Sequence, residues 1–523
     1  MNNFKKYSLN VIYLIVISTI VRAFLAYFLE LGNDEVYYRL YGLFPDWSHF
    51  DHPIMIGLLM QITTFDMVFQ SEFFLRLGSI IIGAINIWIV FKIGLAIKDE
   101  RTGFYASLIY VSSIYATIIT GVFILPDTPQ SLFWLWALLL MIQTVPKCPN
   151  IPMSGTNMLK LSVVLGFGIL SKYTTIFLWA GIVMYILIFN RDWLKSKWLY
   201  IGLLISAIIC LPILVWNIQN DFISINFHTN RVDMSGYSIG IDYLINELLG
   251  ELLYNNPIVY ILVIVSTIAG LRGKLSLEKS HLRMLLLAGL PIVITFIIFS
   301  LFRRTLPHWT APGVTTLIPL AAVYISDRRI KSRGIPFVII LSLAFIFLII
   351  VSGLVQINKG FVPFDKSTEY NRIGKNDPSL DMYGYRQAGH KFVQIVNRDI
   401  RTGVMDNNSF MVGSKWFPLA NYEYYFARKV GMNALALGKL TDIHKYAWIN
   451  EERGGFIEGT DAYYITDSRE FNLPDSIIYR NFESVTPSDT IDVIRGGEIA
   501  KRIFIFRCKD LILKDSSIHM LEQ

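Results

Sequence analysis

The stretch Leu9 to Leu31, LNVIYLIVISTIVRAFLAYFLEL, followed at once by Asn33-Asp34-Glu35-Val36-Tyr37-Tyr38, decides the fold class. Its apolar length is near the roughly 20 residues that cross a bilayer as a helix, and Lys5 and Lys6 precede it. With no clear small-x-small cleavage site after it, the run reads as a retained first helix rather than a signal peptide. Where it ends, two adjacent carboxylates and an aromatic pair stand at the membrane surface.

Working outward, further apolar stretches of spanning length, or pairs forming hairpins, fall at 74–97, 103–124, 129–145, 159–171, 174–190, 199–218, 257–271, 284–301, 309–326 and 335–356. Together they predict an α-helical polytopic membrane protein with about 11 transmembrane helices, in a range of about 9–13. Placing the N-terminus in the cytoplasm puts Lys98/Arg101, Lys147/Lys160, Arg191/Lys195/Lys197, Arg272/Lys274/Lys279/Arg283 and Arg328/Arg329/Lys331/Arg333 inside. The positive-inside rule asks for that arrangement, and the opposite one violates nearly every loop. The expected location is a cytoplasmic (inner) membrane.

Composition agrees: 53% of the 523 residues are hydrophobic and 17% charged, against about 25% charged in a soluble protein. The net charge of +7 is spread over short membrane-flanking clusters, so no nucleic-acid partner is expected. Cys148, Cys210 and Cys508 lie in three different segments without a CxxC pair, which gives neither a disulfide framework nor a thiolate metal site. With an odd number of spans the chain after Gln356 lies outside, and its composition turns mixed there. We therefore expect a transmembrane domain, 1–356, and a soluble extracytoplasmic α/β domain, 357–523. In the latter, Ser409–Val412, Asp461–Thr466 and Arg502–Phe506 read as strands, and Gly389–Arg398 and Asn421–Val430 as helices.

The outer loops hold the chemistry. Asp34 or Glu35 can serve as a general base toward an acceptor hydroxyl or amine; a solvated helix end accounts for the same residues. Trp47-Ser48-His49-Phe50-Asp51-His52-Pro53 offers two histidines and an aspartate, which suit a metal, a phosphate or substrate contact, or an interfacial anchor. A third well-placed ligand is lacking, so no metal site is assigned. Asp127, in Leu125-Pro126-Asp127-Thr128-Pro129, either caps the next helix, the default, or faces substrate. Lys172 is a cation on the outer side, where snorkelling to the interface is the alternative. His228 and Arg231 in the fourth outer loop, and Arg303, Arg304 and His308 in the fifth, add further outside cations. Gathered on one cavity they suit a lipid phosphate; taken singly they suit outer-leaflet headgroups.

There is no D-x-D triplet to hold a metal-bound nucleotide sugar and no G-x-x-x-x-G-K-[ST] loop. A lipid-borne activated sugar is the donor that remains chemically sensible outside the membrane. No cofactor is required, and a divalent metal is the one the chemistry leaves room for.

Taken in order, Asp34-Glu35-Val36-Tyr37-Tyr38, Phe50-Asp51-His52-Pro53, Arg76-Leu77, Pro126-Asp127, Ser171-Lys172-Tyr173, Trp216-Asn217 with Phe227-His228, and Pro307-His308-Trp309 strongly resemble the bacterial branch of the family 39/83 glycosyltransferases, over residues 7–356. These GT-C fold enzymes include protein O-mannosyltransferases and the lipid A aminoarabinose transferase. The resemblance implies transfer of a sugar from a polyprenyl-phosphate donor to an extracytoplasmic lipid, envelope glycan or protein. It implies Asp34 as the acidic residue that orients or deprotonates the acceptor, with Glu35 and Tyr38 beside it. It places His52 where aminoarabinose transferases carry a lysine near the lipid phosphate, and Asp127 at a second outer acid. Lys172, Arg303, Arg304 and His308 become donor-site candidates, with Asp51, Asp127, His228 and Arg231 toward substrate. Asp381-Met382-Tyr383-Gly384-Tyr385 resembles a motif that opens the outer domain of related bacterial proteins. The rival reading, a transporter of polyprenyl lipid or a small molecule, would show repeated halves or polar residues near the membrane midplane, and no repeat is found. A catalytically dead receptor or scaffold is a third.

Overall fold

The computed structural model describes residues 4–512 except 152, 233–238, 329–333, 366 and 368. Arg329, Lys331 and Arg333, and the side chains of Lys5, Lys6 and Arg231, lie outside the described residues. The chain forms two compact units, one of residues 1–27 and 45–349, the other of residues 28–44 and 350–523.

The first unit is a bundle of helices. Four helices are long and apolar enough to cross a membrane, Tyr7–Phe28, Glu72–Ile97, Lys279–Phe299 and Phe337–Lys359, the last running on into the second unit. Two bent pairs bring the number to six if each is one span: Lys197–Ile209 with Leu211–Gln219, at 42°, and Ile241–Tyr254 with Pro257–Leu271, at 101°. The chain is thus a multi-pass membrane protein with at least four spans. Other stretches expected to span form helices of lower hydropathy, for a visible reason. Asp127–Thr144 and Ala311–Arg328 run through the core and carry Gln130, Ser131, Thr315 and Thr316 among their buried residues.

Helix contacts in this unit use the devices available where water drives nothing together. Trp134 Nε1 donates to Thr316 Oγ1 at 2.8 Å, and Asn86 Nδ2 to Ser131 Oγ at 2.8 Å. Gly94 and Gly103 let two helices touch backbone to backbone, since a Cβ on Gly94 would stand 2.4 Å from Gly103 Cα. At the 101° bend, buried Asn256 adopts φ 66°, and its Nδ2 donates to Ser112 O at 2.9 Å and Ser342 O at 3.0 Å. Asn tolerates positive φ, and Pro257 then starts the next helix.

The second unit is α/β. Strands β1 (Phe410–Gly413), β2 (Ala434–Ala436), β3 (Ala462–Asp467), β4 (Phe482–Arg495) and β5 (Glu498–Leu511) form one sheet in the order β2-β1-β3-β5-β4. β1 runs parallel to both β2 and β3, while β5 is antiparallel to β3 and β4. Gly496 and Gly497, at φ 63° and 95°, make the β4–β5 turn, where successive positive φ values match the twist of the strands. The helix Tyr385–Arg401 buries Tyr385, Ala388, Gly389, Phe392, Val396 and Asp399, a spacing of three and four that gives one inward face. Phe410, Val412, Tyr464, Phe504 and Phe506 fill a core of this unit.

The segment Phe28–Phe44 belongs to this unit through hydrogen bonds. Glu30 accepts from the backbone N–H of Tyr385 at 2.8 Å and of Arg386 at 3.1 Å, and Tyr425 Oη accepts from Leu31 N at 2.6 Å. Arg39 lies 3.6 Å from the buried Glu423 carboxylate, which also receives Arg453 at 2.8 Å and the Tyr446 hydroxyl at 2.7 Å.

Candidate active site

In the helical unit, six predicted residues come into one neighbourhood, organised by a buried ion pair. Helix Asp127–Thr144 and helix Ser154–Ser171 are each 18 residues long, and they pack together. In an antiparallel hairpin of equal arms, the start of one helix and the end of the other share a level. Lys172 Nζ accordingly donates to Asp127 Oδ2 at 2.8 Å, with the two side chains 9% and 4% exposed. Tyr115, on the π-helical turn Tyr115–Ile119, donates its hydroxyl to Asp127 Oδ1 at 3.3 Å. Asp127 makes no capping bond at its helix start, and Lys172 reaches inward to the carboxylate rather than snorkelling out, so both default readings are corrected. One cause serves both: each is the other's neutralising partner away from water.

His52 and His308 flank this pair, near enough to couple electrostatically to Asp127, as Lys172 does. Burial pushes the His52 imidazole down to about 3 and that of His308 to about 4, with Asp51 and Asp127 opposing only in part. Both rings are neutral at neutral pH. A phosphate brought within about 4–6 Å would favour the charged form and raise them.

His228 joins from helix Ile223–Val232. Its Nε2 is 3.0 Å from the Asp51 carbonyl oxygen, and its ring lies 6.5 Å from His52 and 5.1 Å from Tyr173. The preceding turn sets this helix: Trp216 Nε1 donates to Asp46 Oδ2 at 2.7 Å, and Asn217 Oδ1 accepts from Ile225 N at 3.2 Å. Phe50 against Phe227, 4.6 Å between centroids, closes the apolar side. Arg303 is half-buried and Arg304 exposed on the turn before helix Ala311–Arg328. Among the described residues no group of three or more His, Cys, Asp or Glu is placed to hold a metal ion.

In the α/β unit the two adjacent carboxylates part company. On the helix Asn33–Leu43, Glu35 is buried, and its Oε2 accepts from Gly32 N at 2.8 Å, closing the helix start. Asp34, one residue earlier, is exposed. Asn33 Oδ1 accepts from Asn421 Nδ2 at 3.1 Å, and Tyr37 packs on Trp416 at 4.7 Å between ring centroids. Tyr38 is 7% exposed beside Tyr37 and Tyr41.

Tyr115 and Tyr254 escaped the sequence reading. Tyr115 lies inside the apolar run 103–124 with no motif to mark it, and Tyr254, 6.0 Å from His308 between ring centroids, ends a helix that the sequence shows only as loop. Tyr115 is one of three tyrosines in that run, with Tyr105 and Tyr110, and nothing local sets it apart.

These features define a class: multi-pass membrane proteins with a polar, histidine-rich site among their helices and a small α/β unit. Known proteins narrow it. Residues 51–216, which contain Asp51, His52, Asp127 and Lys172, match the family model described as dolichyl-phosphate-mannose-protein mannosyltransferase. ArnT from Cupriavidus metallidurans in the apo state is similar over 95% of this chain and 98% of its own, with a TM-score of 0.61 and 13% identity. The same protein bound to undecaprenyl phosphate gives 0.61 and 15%, over 94% of this chain and 97% of its own. No curated protein matches the sequence. The chain has the GT-C glycosyltransferase fold, as its motifs implied.

Proposed function

We propose that this protein is a membrane glycosyltransferase that moves a sugar from a polyprenyl-phosphate donor to an extracytoplasmic lipid, envelope glycan or protein. The observation that carries the reading is the buried Lys172–Asp127 pair with His52, His228 and His308 around it, inside helices of the GT-C fold. Its support from outside is that ArnT, solved with undecaprenyl phosphate, shares that fold.

In this mechanism the glycosidic bond to the phosphate breaks as the acceptor attacks the anomeric carbon. Negative charge grows on the departing phosphate, and Lys172 with the imidazoles of His52 and His308 is the set to meet it. Preorganised donors aimed at developing charge are worth about 3–4 kcal/mol each in comparable sites. The acceptor's proton goes to Asp34, with Glu35 fixing the helix start that carries it; a positioned base contributes roughly 10²–10⁴ in rate. Arg303, Arg304, Asp51, His228, Arg231 and Tyr38 are assigned to donor and substrate contacts. Residues 1–356 act as the transmembrane catalytic domain with a cytoplasmic N-terminus, and 357–523 as the extracytoplasmic domain, in an inner membrane.

The test is transfer of labelled sugar from purified polyprenyl-phosphate donors to a membrane extract, in nanodiscs, comparing wild type with Asp34→Asn. Asp34 is exposed, so the variant should fold normally and lose at least a hundredfold in turnover. Substantial turnover by the variant removes Asp34 from its role. Donor binding without turnover in either protein replaces the enzyme by a lipid transporter.

A further inference from the structure

The sheet of the second unit has a topological switch point, and a cleft lies there. From the end of β1 the chain leaves through helix Trp416–Tyr425 to β2 on one side, while from the end of neighbouring β3 it leaves through helix Ser476–Asn481 toward β4 on the other. Parallel strands whose exits diverge leave a crevice beyond their carboxyl ends, the place where open α/β sheets take ligands. Here Ser414, Lys415, Tyr422, Glu470, Asn472 and Asp475 line a cleft of about 480 Å³ of empty space, open mouth included.

The loop after β3 is held in shape from within. Asp467 Oδ1 accepts from the backbone N–H of Arg469 and Glu470 at 3.0 Å each, and its Oδ2 accepts from the Tyr422 hydroxyl at 3.2 Å. Thr466 Oγ1 accepts from Asn472 N at 3.2 Å. The charged heads are not consumed by this bracing. Lys415, Glu470 and Asp475 are exposed, and Asp475 stands at the start of helix Ser476–Asn481 without making a capping bond. The rim thus offers one ammonium, two carboxylates, an amide and a hydroxyl, a set of donors and acceptors matched to the hydroxyls of a sugar. Two carboxylates against one ammonium favour a neutral or amino sugar over an acidic one.

The geometry points to a saccharide subsite in this cleft, which holds a neutral or amino sugar of the acceptor. Its existence follows from the second unit alone, and its use in acceptor recognition rests on the transfer reading. The experiment is saturation-transfer NMR on the full chain in nanodiscs, with the methyl glycosides of a hexose, an N-acetylhexosamine, a hexosamine and a hexuronic acid. Wild type should bind the first three more tightly than the uronic acid, and the Glu470→Gln/Asp475→Asn variant should lose at least fivefold in hexosamine affinity. No binding by any of the four, or equal binding by the variant, overturns the subsite. In the transfer assay the same variant should raise the acceptor KM severalfold at unchanged donor KM; an unchanged acceptor KM overturns the acceptor role. Sugar binding by a protein that transfers nothing leaves the subsite standing and removes the transfer reading, whereas transfer without sugar binding removes the subsite alone.

Discussion

Replacing Lys172 by methionine keeps the side chain's length and removes its charge, which leaves the Asp127 carboxylate buried with the Tyr115 hydroxyl at 3.3 Å as its side-chain partner among the described residues. At 2.8 Å and an effective dielectric near 20, the Coulomb attraction lost is about 6 kcal/mol before any gain from desolvation relieved on the lysine side. Removing one partner of a buried pair costs about 3–5 kcal/mol, because the other charge is stranded. At about 2 °C per kcal/mol for a unit of this size, Tm should fall by roughly 5–10 °C. Asp127→Asn should fall comparably, since it strands the lysine. The double variant Lys172→Met/Asp127→Asn should recover most of the loss, because neither charge is then left alone. Thermal unfolding in one detergent, run as a double-mutant cycle, reads the coupling directly, and about 2 kcal/mol or more is expected. Losses that simply add would refute the pairing, and a single variant as stable as wild type would refute its burial. Activity separates the two roles of the lysine: the double variant regains stability yet should not regain transfer, since the ammonium that meets the departing phosphate is gone.

Further outcomes follow from other parts of the chain. His52 and His308 titrate at about 3 and about 4 in the fold, below the 6.5 of a free imidazole, so between about 4 and 6.5 the unfolded chain holds protons that the folded chain does not. Stability should therefore rise with pH across that window and drop as pH falls from 6.5 toward 4; a flat Tm there, or a slope unchanged in His308→Gln, argues against neutral rings in the fold. Glu423→Ala leaves the guanidiniums of Arg39 and Arg453 without their carboxylate, and should cost about 3–5 kcal/mol in the second unit, checked by hydrogen exchange of its strands. Gly94→Ala forces a Cβ to within 2.4 Å of Gly103 Cα, where backbone has no rotamer to yield. It should lower stability by about 1–3 kcal/mol in a thermal-shift measurement.

How much could be read beforehand depended on whether the signal was local. The run before Ile97 and the run beginning at Phe337 are apolar over most of their length, and hydropathy alone found them. The core strands were legible from aromatic and β-branched residues, as in Tyr463-Tyr464-Ile465-Thr466 and Ile503-Phe504-Ile505-Phe506. β2 is only three residues long, and β4, at the sheet's edge, carries Glu483, Ser484, Thr486, Pro487, Ser488 and Asp489. Edge strands shed the apolar pattern because polar residues and proline there discourage pairing with other chains, so β4 is not among the strands read from the sequence.

The site followed the same division at finer scale. Asp127 and Lys172 were each picked out singly, and each invited a local explanation, a cap for one and snorkelling for the other. Their pairing is a property of two 18-residue helices lying side by side, across 45 positions of sequence. Asp34 and Glu35 show the converse, two residues alike in sequence and separated by fold. Neighbours on a helix point about 100° apart, so when Glu35 turns back to the Gly32 amide, Asp34 points elsewhere, and its side chain is exposed. The helix-closing bond thus gives Glu35 a structural role that Asp34, pointing about 100° away, does not share, which is how two carboxylates read together in the sequence come to different surroundings in the fold.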